Sequence, residues 1–357
     1  MSQRAQNPAP TTTEWNALKR VAIVGAGTLK GRELKDMLEA RQFPAVDVKL
    51  LDDDESLGQL DAVGEEATFI QGVTAENFLG MDFAFFASDG EFTQKHWAVA
   101  RDAGATIIDL SYGLEHEQGA IVRSPWIEKE SISVGLLSAS GTSALQIVAH
   151  PVATVVALLL GRARRASVIR NAVITAFEPA SEQGRRGMDE LHQQTINLLS
   201  FQQLPKKIFD SQVAFNFLSR YGAESALKLE AIEQRILRHL REITPADNAL
   251  PPPSLMLLQS PTFHSHTFSI FLEMEQKHSL GDFAQALAGE HVTVTHLPEE
   301  APNNVSAAGQ NDVQLAVRRD AQRENAFWIW AAADNLRISA ITAVLCAETS
   351  LRKQAIQ

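Results

Sequence analysis

The patterned part of the chain opens with a short β-branched run, Arg20 to Val24 (RVAIV), that stops at Gly25, Gly27 and Gly31 and gives way to helical spacing over Glu33 to Ala40. The prediction is strand, glycine turn, helix. A second strand over Val46 to Leu51 ends in the acidic run Asp52, Asp53, Asp54, Glu55. Further strands are predicted at Phe83 to Ala87, Thr106 to Asp109 and Ile132 to Leu137, with a helix over Thr93 to Ala103. Strands alternating with helices predict an α/β domain built on a mostly parallel, Rossmann-like sheet.

From about Leu145 the pattern changes. It predicts a long helix to about Leu160, a strand over Ser167 to Phe177, and helices over Gly187 to Phe201 and Glu224 to Leu240. Strands follow at Ser254 to Gln259, His266 to Met274, Val292 to Thr295, Val313 to Arg319 and Ala326 to Ala333, and a helix from Asn335 to Arg352 closes the chain. This second block is α+β. The proline-rich stretch Thr244 to Pro253 reads as a loop, and residues 1–18, without a hydrophobic core segment, read as a disordered tail and not a signal peptide.

The 357 residues, 45% hydrophobic and 21% charged, suit two globular domains. A net charge of −11 opposes binding to a phosphate backbone, so no nucleic-acid partner is expected. The longest apolar run, Ile147 to Leu160, is interrupted by His150 and Pro151 and is too short to cross a bilayer, which makes a cytoplasmic protein the expectation. The single cysteine, Cys346, excludes a disulfide within one chain and a zinc site of several thiolates, and no metal is expected.

Glycines between a strand and a helix let the backbone approach a pyrophosphate, which the helix N-terminus holds with its N–H groups. Gly25, Gly27, Thr28 and Gly31 are the candidate contacts, although G-A-G-T-L-K-G has one residue more between its second and third glycines than the dinucleotide fingerprint. Lys30, inside the turn, either fills the site or adds a phosphate contact. The competing reading is a tight turn needed only for packing. Asp52 or Asp53 stands where a carboxylate accepts from an adenosine 2′-hydroxyl, and the acidic run repels a 2′-phosphate, so NAD is expected over NADP. A solvated acidic turn is the alternative.

Several stretches in order resemble the aspartate-semialdehyde dehydrogenases: FASDG at Phe86 to Gly90, AGATIIDLS at Ala103 to Ser111, TSALQIVAHP at Thr142 to Pro151, and the C-terminal set VQLAVRR, FWIW and DNLR at Val313 to Arg319, Phe327 to Trp330 and Asp334 to Arg337. The resemblance covers about residues 20 to 350 and is strongest toward the divergent Usg-like branch. It implies a nucleotide-binding domain over 19–142 with 335–357, and an α+β substrate and dimerisation domain over 143–334. It also implies a homodimer through the second domain, and adds Ser88 to the cofactor contacts.

The reaction the resemblance implies is phosphate-dependent oxidation of aspartate semialdehyde through a cysteine thioester, with a histidine moving the proton and a nicotinamide taking the hydride. Aligned on Gln146, Thr142 takes the cysteine's place and Gly141 that of the preceding asparagine. Threonine has almost no anionic fraction at neutral pH. The plainer reading is that Ser140, Thr142 and Ser143 cap the following helix. Glu178 takes the place of an orienting glutamine, Gln259 that of an arginine that grips the substrate carboxylate, and Glu115 that of a phosphate-binding arginine. His266 keeps the histidine, with His264 on the same strand face; packed strand histidines are the alternative. Lys228 matches a substrate-domain lysine, and Arg185 or Arg186 lies in a loop with anion-binding potential. Cys346 reads as a small buried apolar residue.

Four such replacements in one mechanism predict a catalytically degenerate homologue acting as a dimeric binding or regulatory protein. Two other readings stand beside it. One is an NAD(P)-dependent oxidoreductase with an altered substrate or mechanism, with Thr142 activated by His266 or with no covalent step. The other is a regulatory subunit in mixed oligomers with family members.

Overall fold

The computed structural model describes residues 18–53, 57–63, 66–133, 143–244, 252–295 and 301–354. Two compact units form. Unit 1 comprises Met1–Pro125, Ser140–Val148 and Ala340–Gln357, and unit 2 comprises Trp126–Ala139 and Ala149–Ser339.

Unit 1 is built on strands β1 (Lys19–Val24), β2 (Ala45–Asp52), β5 (Gln71–Gly72), β6 (Phe83–Phe86), β7 (Thr106–Asp109), β8 (Ile121–Arg123) and β9 (Leu145–Val148), with a separate hairpin of β3 (Leu60–Val63) and β4 (Glu66–Phe69). The seven-stranded sheet runs β5-β2-β1-β6-β7-β9-β8, and each of its pairings is parallel. Strands such as FAFF in β6 are buried at every position, the mark of a parallel sheet covered on both faces. Helices α1 (Leu29–Ala40), α2 (Ala75–Phe78) and α3 (Gly90–Asp102) lie in the connections. From β1 the chain steps outward to β2 and later returns to β6 on the other side. This reversal puts a ligand crevice at the carboxyl ends of β1 and β6.

Unit 2 carries a mixed sheet, β11-β10-β12-β15-β14-β13, made of β10 (Ile169–Glu178), β11 (Ser254–Gln259), β12 (His266–Met274), β13 (Val292–Val294), β14 (Val313–Arg319) and β15 (Ala326–Ala333). Its helices are α4 (Pro125–Ser133), α5 (Pro151–Ala166), α6 (Gly184–Leu199), α7 (Leu229–Ile243), α8 (Leu280–Leu287), α9 (Asn304–Ala307) and the start of α10 (Asn335–Gln354). The face carrying Ile174, Ile270 and Ile329 is buried, and α5, α7 and α8 pack on the sheet.

Several sequence expectations are corrected. The helix expected from Leu145 begins at Pro151, and Leu145–Val148 is a strand between β7 and β8. A short run buried at every position has no period with which to tell a buried parallel strand from a buried helix. The boundary is set instead by Pro151 in the first helical turn and by the His150 cap, whose Nδ1 accepts from the Val152 N–H at 3.2 Å. Of the strand expected over Ile132 to Leu137, residues 132 and 133 end α4 and the others lie outside the described residues. Helix α7 starts at Leu229, not Glu224, because Glu224 N–H and the Ser225 hydroxyl are bound to Asp210 and to the Ile208 carbonyl. The N-terminal tail, apart from Leu18, and most of the Thr244 to Pro253 loop lie outside the described residues. No helix among the described residues is long and apolar enough to cross a membrane.

An ion pair ties α4 to α5. Arg162, 2% exposed, donates from Nε to Glu130 at 3.1 Å and from Nη1 to the Leu287 carbonyl at 3.0 Å. Burial opposes the charged form of Glu130, but the hydrogen bonds and charges of Arg162 and Arg165 outweigh it and hold the carboxyl below its usual range. A depressed carboxyl pKa stabilises the fold above the unfolded-state value and ceases to do so as pH falls through the folded-state value. Arg162→Met should cost about 1–3 kcal/mol in urea unfolding at pH 7, because Glu130 keeps only Arg165 and the Leu287 carbonyl loses its buried donor. The gap between wild type and Glu130→Gln should narrow as pH falls through the folded-state value of Glu130, which lies below the usual carboxyl range.

Candidate functional site

In unit 1 the glycine turn is shaped by backbone contact. Gly25 has φ +85°, and a Cβ there would lie 2.5 Å from the Ser88 nitrogen; one on Gly31 would lie 2.1 Å from the Gly25 carbonyl oxygen. Only glycine permits this approach of α1 to β1 and of the turn to the β6 loop. Thr28 caps α1: its Oγ1 accepts from the Gly31 N–H at 3.0 Å and donates to the Gly25 carbonyl at 2.8 Å or the Ala87 carbonyl at 3.0 Å. Asp52, buried at the end of β2, accepts from the Gly27 N–H at 2.6 Å and from the Asp53 N–H at 2.9 Å. The turn thus brings Gly25, Gly27, Thr28, Gly31, Asp52 and Ser88 together. Asp54 and Glu55 lie outside the described residues.

The crevice has a second lip after β7. Asp109 accepts from the Ser111 N–H at 2.7 Å, the Ser111 hydroxyl at 2.6 Å and the Leu114 N–H at 2.9 Å. Burial pushes its carboxyl up, against these hydrogen bonds and the charge of Lys30. Glu115 pairs with the exposed His116 at 3.6 Å. Gln146 is a structural clamp whose amide accepts from Arg123 at 2.8 Å and donates to Ser350 at 3.0 Å. Ser143 caps no helix; it accepts from the Leu145 N–H at the start of β9. Ser140, Gly141 and Thr142 lie outside the described residues, and Cys346 is buried in α10.

In unit 2 the ends of three strands gather the remaining candidates. Glu178 pairs with Gln259 between β10 and β11, and Phe177 faces Thr267 of β12, so Glu178, Gln259 and His266 share one edge of the sheet. The Gln259 amide is fully used. Its oxygen accepts from the Tyr221 hydroxyl at 2.8 Å, and its nitrogen donates to the Glu178 carbonyl at 3.0 Å and the Ser260 carbonyl at 2.9 Å. Glu178 accepts from the Gln183 amide at 3.0 Å. Burial first, then the charge of Glu178, holds the Tyr221 hydroxyl well above its usual range, so it remains a donor.

His266 is buried, its ring 5.8 Å from that of His150, and the His150 backbone N–H donates to His239 Nδ1 at 3.0 Å. His264 is not on the same strand face: β12 starts at His266, and Ser265 between them has φ +71° with its N–H on Asn335. Lys228 is the exposed residue before α7, donating to the Ala223 carbonyl at 2.9 Å. Arg185 and Arg186 stand exposed in the first turn of α6, not in a loop. Among the described residues, no group of three or more histidine, cysteine or acidic side chains is placed to hold a metal. Sequence reasoning missed Tyr221, Gln183, His150 and His239; Tyr221 sits in an irregular stretch with no period to mark it.

Tyr221→Phe removes the donor to a buried amide oxygen and should lower stability by about 1–3 kcal/mol in chemical denaturation.

Two family models match in sequence order: the semialdehyde dehydrogenase NAD-binding domain over residues 20–135 and the semialdehyde dehydrogenase dimerisation domain over residues 160–338. A USG-1 protein homolog of Pseudomonas aeruginosa is 29% identical over 93% of this chain and 97% of its own. An aspartate-semialdehyde dehydrogenase of Aquifex aeolicus is 28% identical over 94% and 98%. The solved structure of a probable aspartate-semialdehyde dehydrogenase from Pseudomonas aeruginosa superposes with a TM-score of 0.80 at 29% identity, covering 93% of this chain and 98% of that one. Aspartate semialdehyde dehydrogenase II of Vibrio cholerae, at 22% identity and a TM-score of 0.81, shares the fold over 94% and 99%. With both domain models matched in order across most of its length, the chain belongs to the semialdehyde dehydrogenase family.

Proposed function

We propose that this protein is a catalytically degenerate homologue of aspartate-semialdehyde dehydrogenase that acts as a dimeric, NAD-binding regulatory or scaffold protein. The observation that carries the reading is the saturated amide of Gln259. At the position where the resemblance expects a guanidinium gripping a substrate carboxylate, every hydrogen-bonding atom of the side chain is engaged by Tyr221, Glu178 and Ser260. The neighbouring Glu178 carboxylate adds repulsion toward an anionic substrate. Thr142 at the cysteine position would supply a hydroxyl where a thiolate is needed, and the chain's one cysteine, Cys346, is buried in α10.

The nucleotide turn supports a bound dinucleotide. The glycines let α1 and the loop after β6 close against the end of β1, which sets the α1 N-terminus at the carboxyl end of the sheet, and Asp52, fixed by the Gly27 N–H, offers its carboxylate where an adenosine ribose hydroxyl would donate. A nicotinamide dinucleotide bound there would supply hydride chemistry. The chain's own part is to hold the pyrophosphate at the α1 N-terminus and to reject a 2′-phosphate through Asp52. This intact turn also favours a second reading, an oxidoreductase with an altered substrate, in which His266 serves as the proton carrier.

The open face of the unit 2 sheet supports the dimer. Met256, Thr175, Ser269 and Trp330 lie in one row across β11, β10, β12 and β15, and Val173, Met256 and Trp330 are 41%, 55% and 39% exposed. An apolar sheet face of this kind matches a self-complementary interface.

Two measurements test the proposal. Calorimetry should show NAD binding tighter than NADP, with Asp52→Asn weakening NAD and narrowing the difference; no binding of either would remove the nucleotide from the reading. Sedimentation should show a dimer that Val173→Lys with Met256→Lys converts to monomer, and a monomeric wild type would remove the dimer.

A further inference from the structure

The backbone donors of the glycine turn are largely engaged within the protein. Gly25 and Ala26 N–H both donate to the Leu51 carbonyl, at 2.8 and 3.1 Å, and Thr28 N–H donates to the Gly25 carbonyl at 3.1 Å. Gly27 N–H is held by Asp52 at 2.6 Å and Gly31 N–H by the Thr28 hydroxyl at 3.0 Å. A pyrophosphate arriving here meets few remaining N–H groups, and the carboxylate of Asp52 adds a negative charge to the turn. Binding two phosphates against that background calls for a positive charge from a side chain.

Lys30 is placed to provide it. As the second residue of α1 it stands beside the turn, and its side chain reaches across to the lip after β7. There Nζ lies 3.3 Å from the Leu110 carbonyl and 4.8 Å from the centre of the Tyr112 ring. The lip that receives it is firmly built. Tyr112 is 9% exposed and held at φ +65°, Asp109 binds the Ser111 and Leu114 N–H groups, and the backbones of Gly90 and Gly113 touch, with no room for a Cβ on Gly113. Both Leu110 and the glycine turn follow the carboxyl ends of their strands, on either side of β6. The ammonium therefore lies on the β6/β7 side of the switch point, and the long bond to Leu110 is a weak one to exchange.

We propose that Lys30 is the phosphate-binding residue of this nucleotide site. Its ammonium exchanges the Leu110 carbonyl for a phosphate oxygen of the dinucleotide and adds its charge to the few backbone donors left at the α1 N-terminus. The inference rests on the reading of unit 1 as a dinucleotide-binding domain and goes beyond it by assigning the contact to a side chain.

The test is calorimetry of adenosine, ADP and NAD with the full-length wild type, Lys30→Met and Lys30→Arg. Methionine keeps the length of the side chain and removes the charge. Adenosine should bind all three proteins alike, since it carries no phosphate. ADP and NAD should bind Lys30→Met about ten- to a hundred-fold more weakly than wild type. They should retain most of their affinity for Lys30→Arg, and the salt dependence of NAD binding should be shallower in Lys30→Met. NAD binding by Lys30→Met that equals or exceeds wild type would overturn the assignment while leaving the nucleotide reading intact. A wild-type protein that binds neither ADP nor NAD would overturn both.

Discussion

A buried polar group has to be met by another, and at the edge of the unit 2 sheet this requirement is satisfied from within the chain. Gln259, fully buried, spends its oxygen on Tyr221 and its nitrogen on the carbonyls of Glu178 and Ser260. A side chain that grips a substrate must release its partners when the substrate arrives, and exchanging three buried hydrogen bonds for a ligand contact gains little. The same edge that would bind an anion thereby becomes part of the fold. Glu178, Gln183 and Tyr221 follow from this arrangement, since each faces a polar neighbour in the network.

The nucleotide unit follows a different rule. Its turn is fixed by the absence of side chains at Gly25 and Gly31, whose Cβ positions are taken by the backbone of Ser88 and of Gly25. Asp52 both shapes the turn, through the Gly27 N–H, and carries a charge suited to a ribose hydroxyl. In the proposed function one unit keeps a nucleotide site while the other has turned its polar groups inward. The proposed recognition of a nucleotide without turnover of an aldehyde rests on that division.

Much of this was legible in the sequence. The strand, glycine turn and helix from Arg20 to Ala40, the strands β6, β7, β11, β12, β14 and β15, and the terminal helix all show in hydrophobic period and punctuation. Leu145–Val148 and α5 were not separable, because both are buried on all sides and neither leaves a polar stripe. The glycine turn and Asp52 were legible as a local spacing. The saturation of Gln259 was not, because its partners Tyr221 and Glu178 lie 38 and 81 residues away along the chain, and only the bridge of Leu218 to Gln259 and the pairing of β10 with β11 bring them together. The left-handed Ser265, which breaks the strand between His264 and His266, gives no signal in composition either.

The proposed function requires that the aldehyde-oxidising reaction be lost. The most direct measurement is the steady-state rate of NADH or NADPH formation by the purified protein with aspartate semialdehyde and inorganic phosphate. The rate should not rise above the uncatalysed background at any protein concentration. A phosphate-dependent rate proportional to protein, reaching an ordinary turnover on the order of 1 per second or more, would contradict the account.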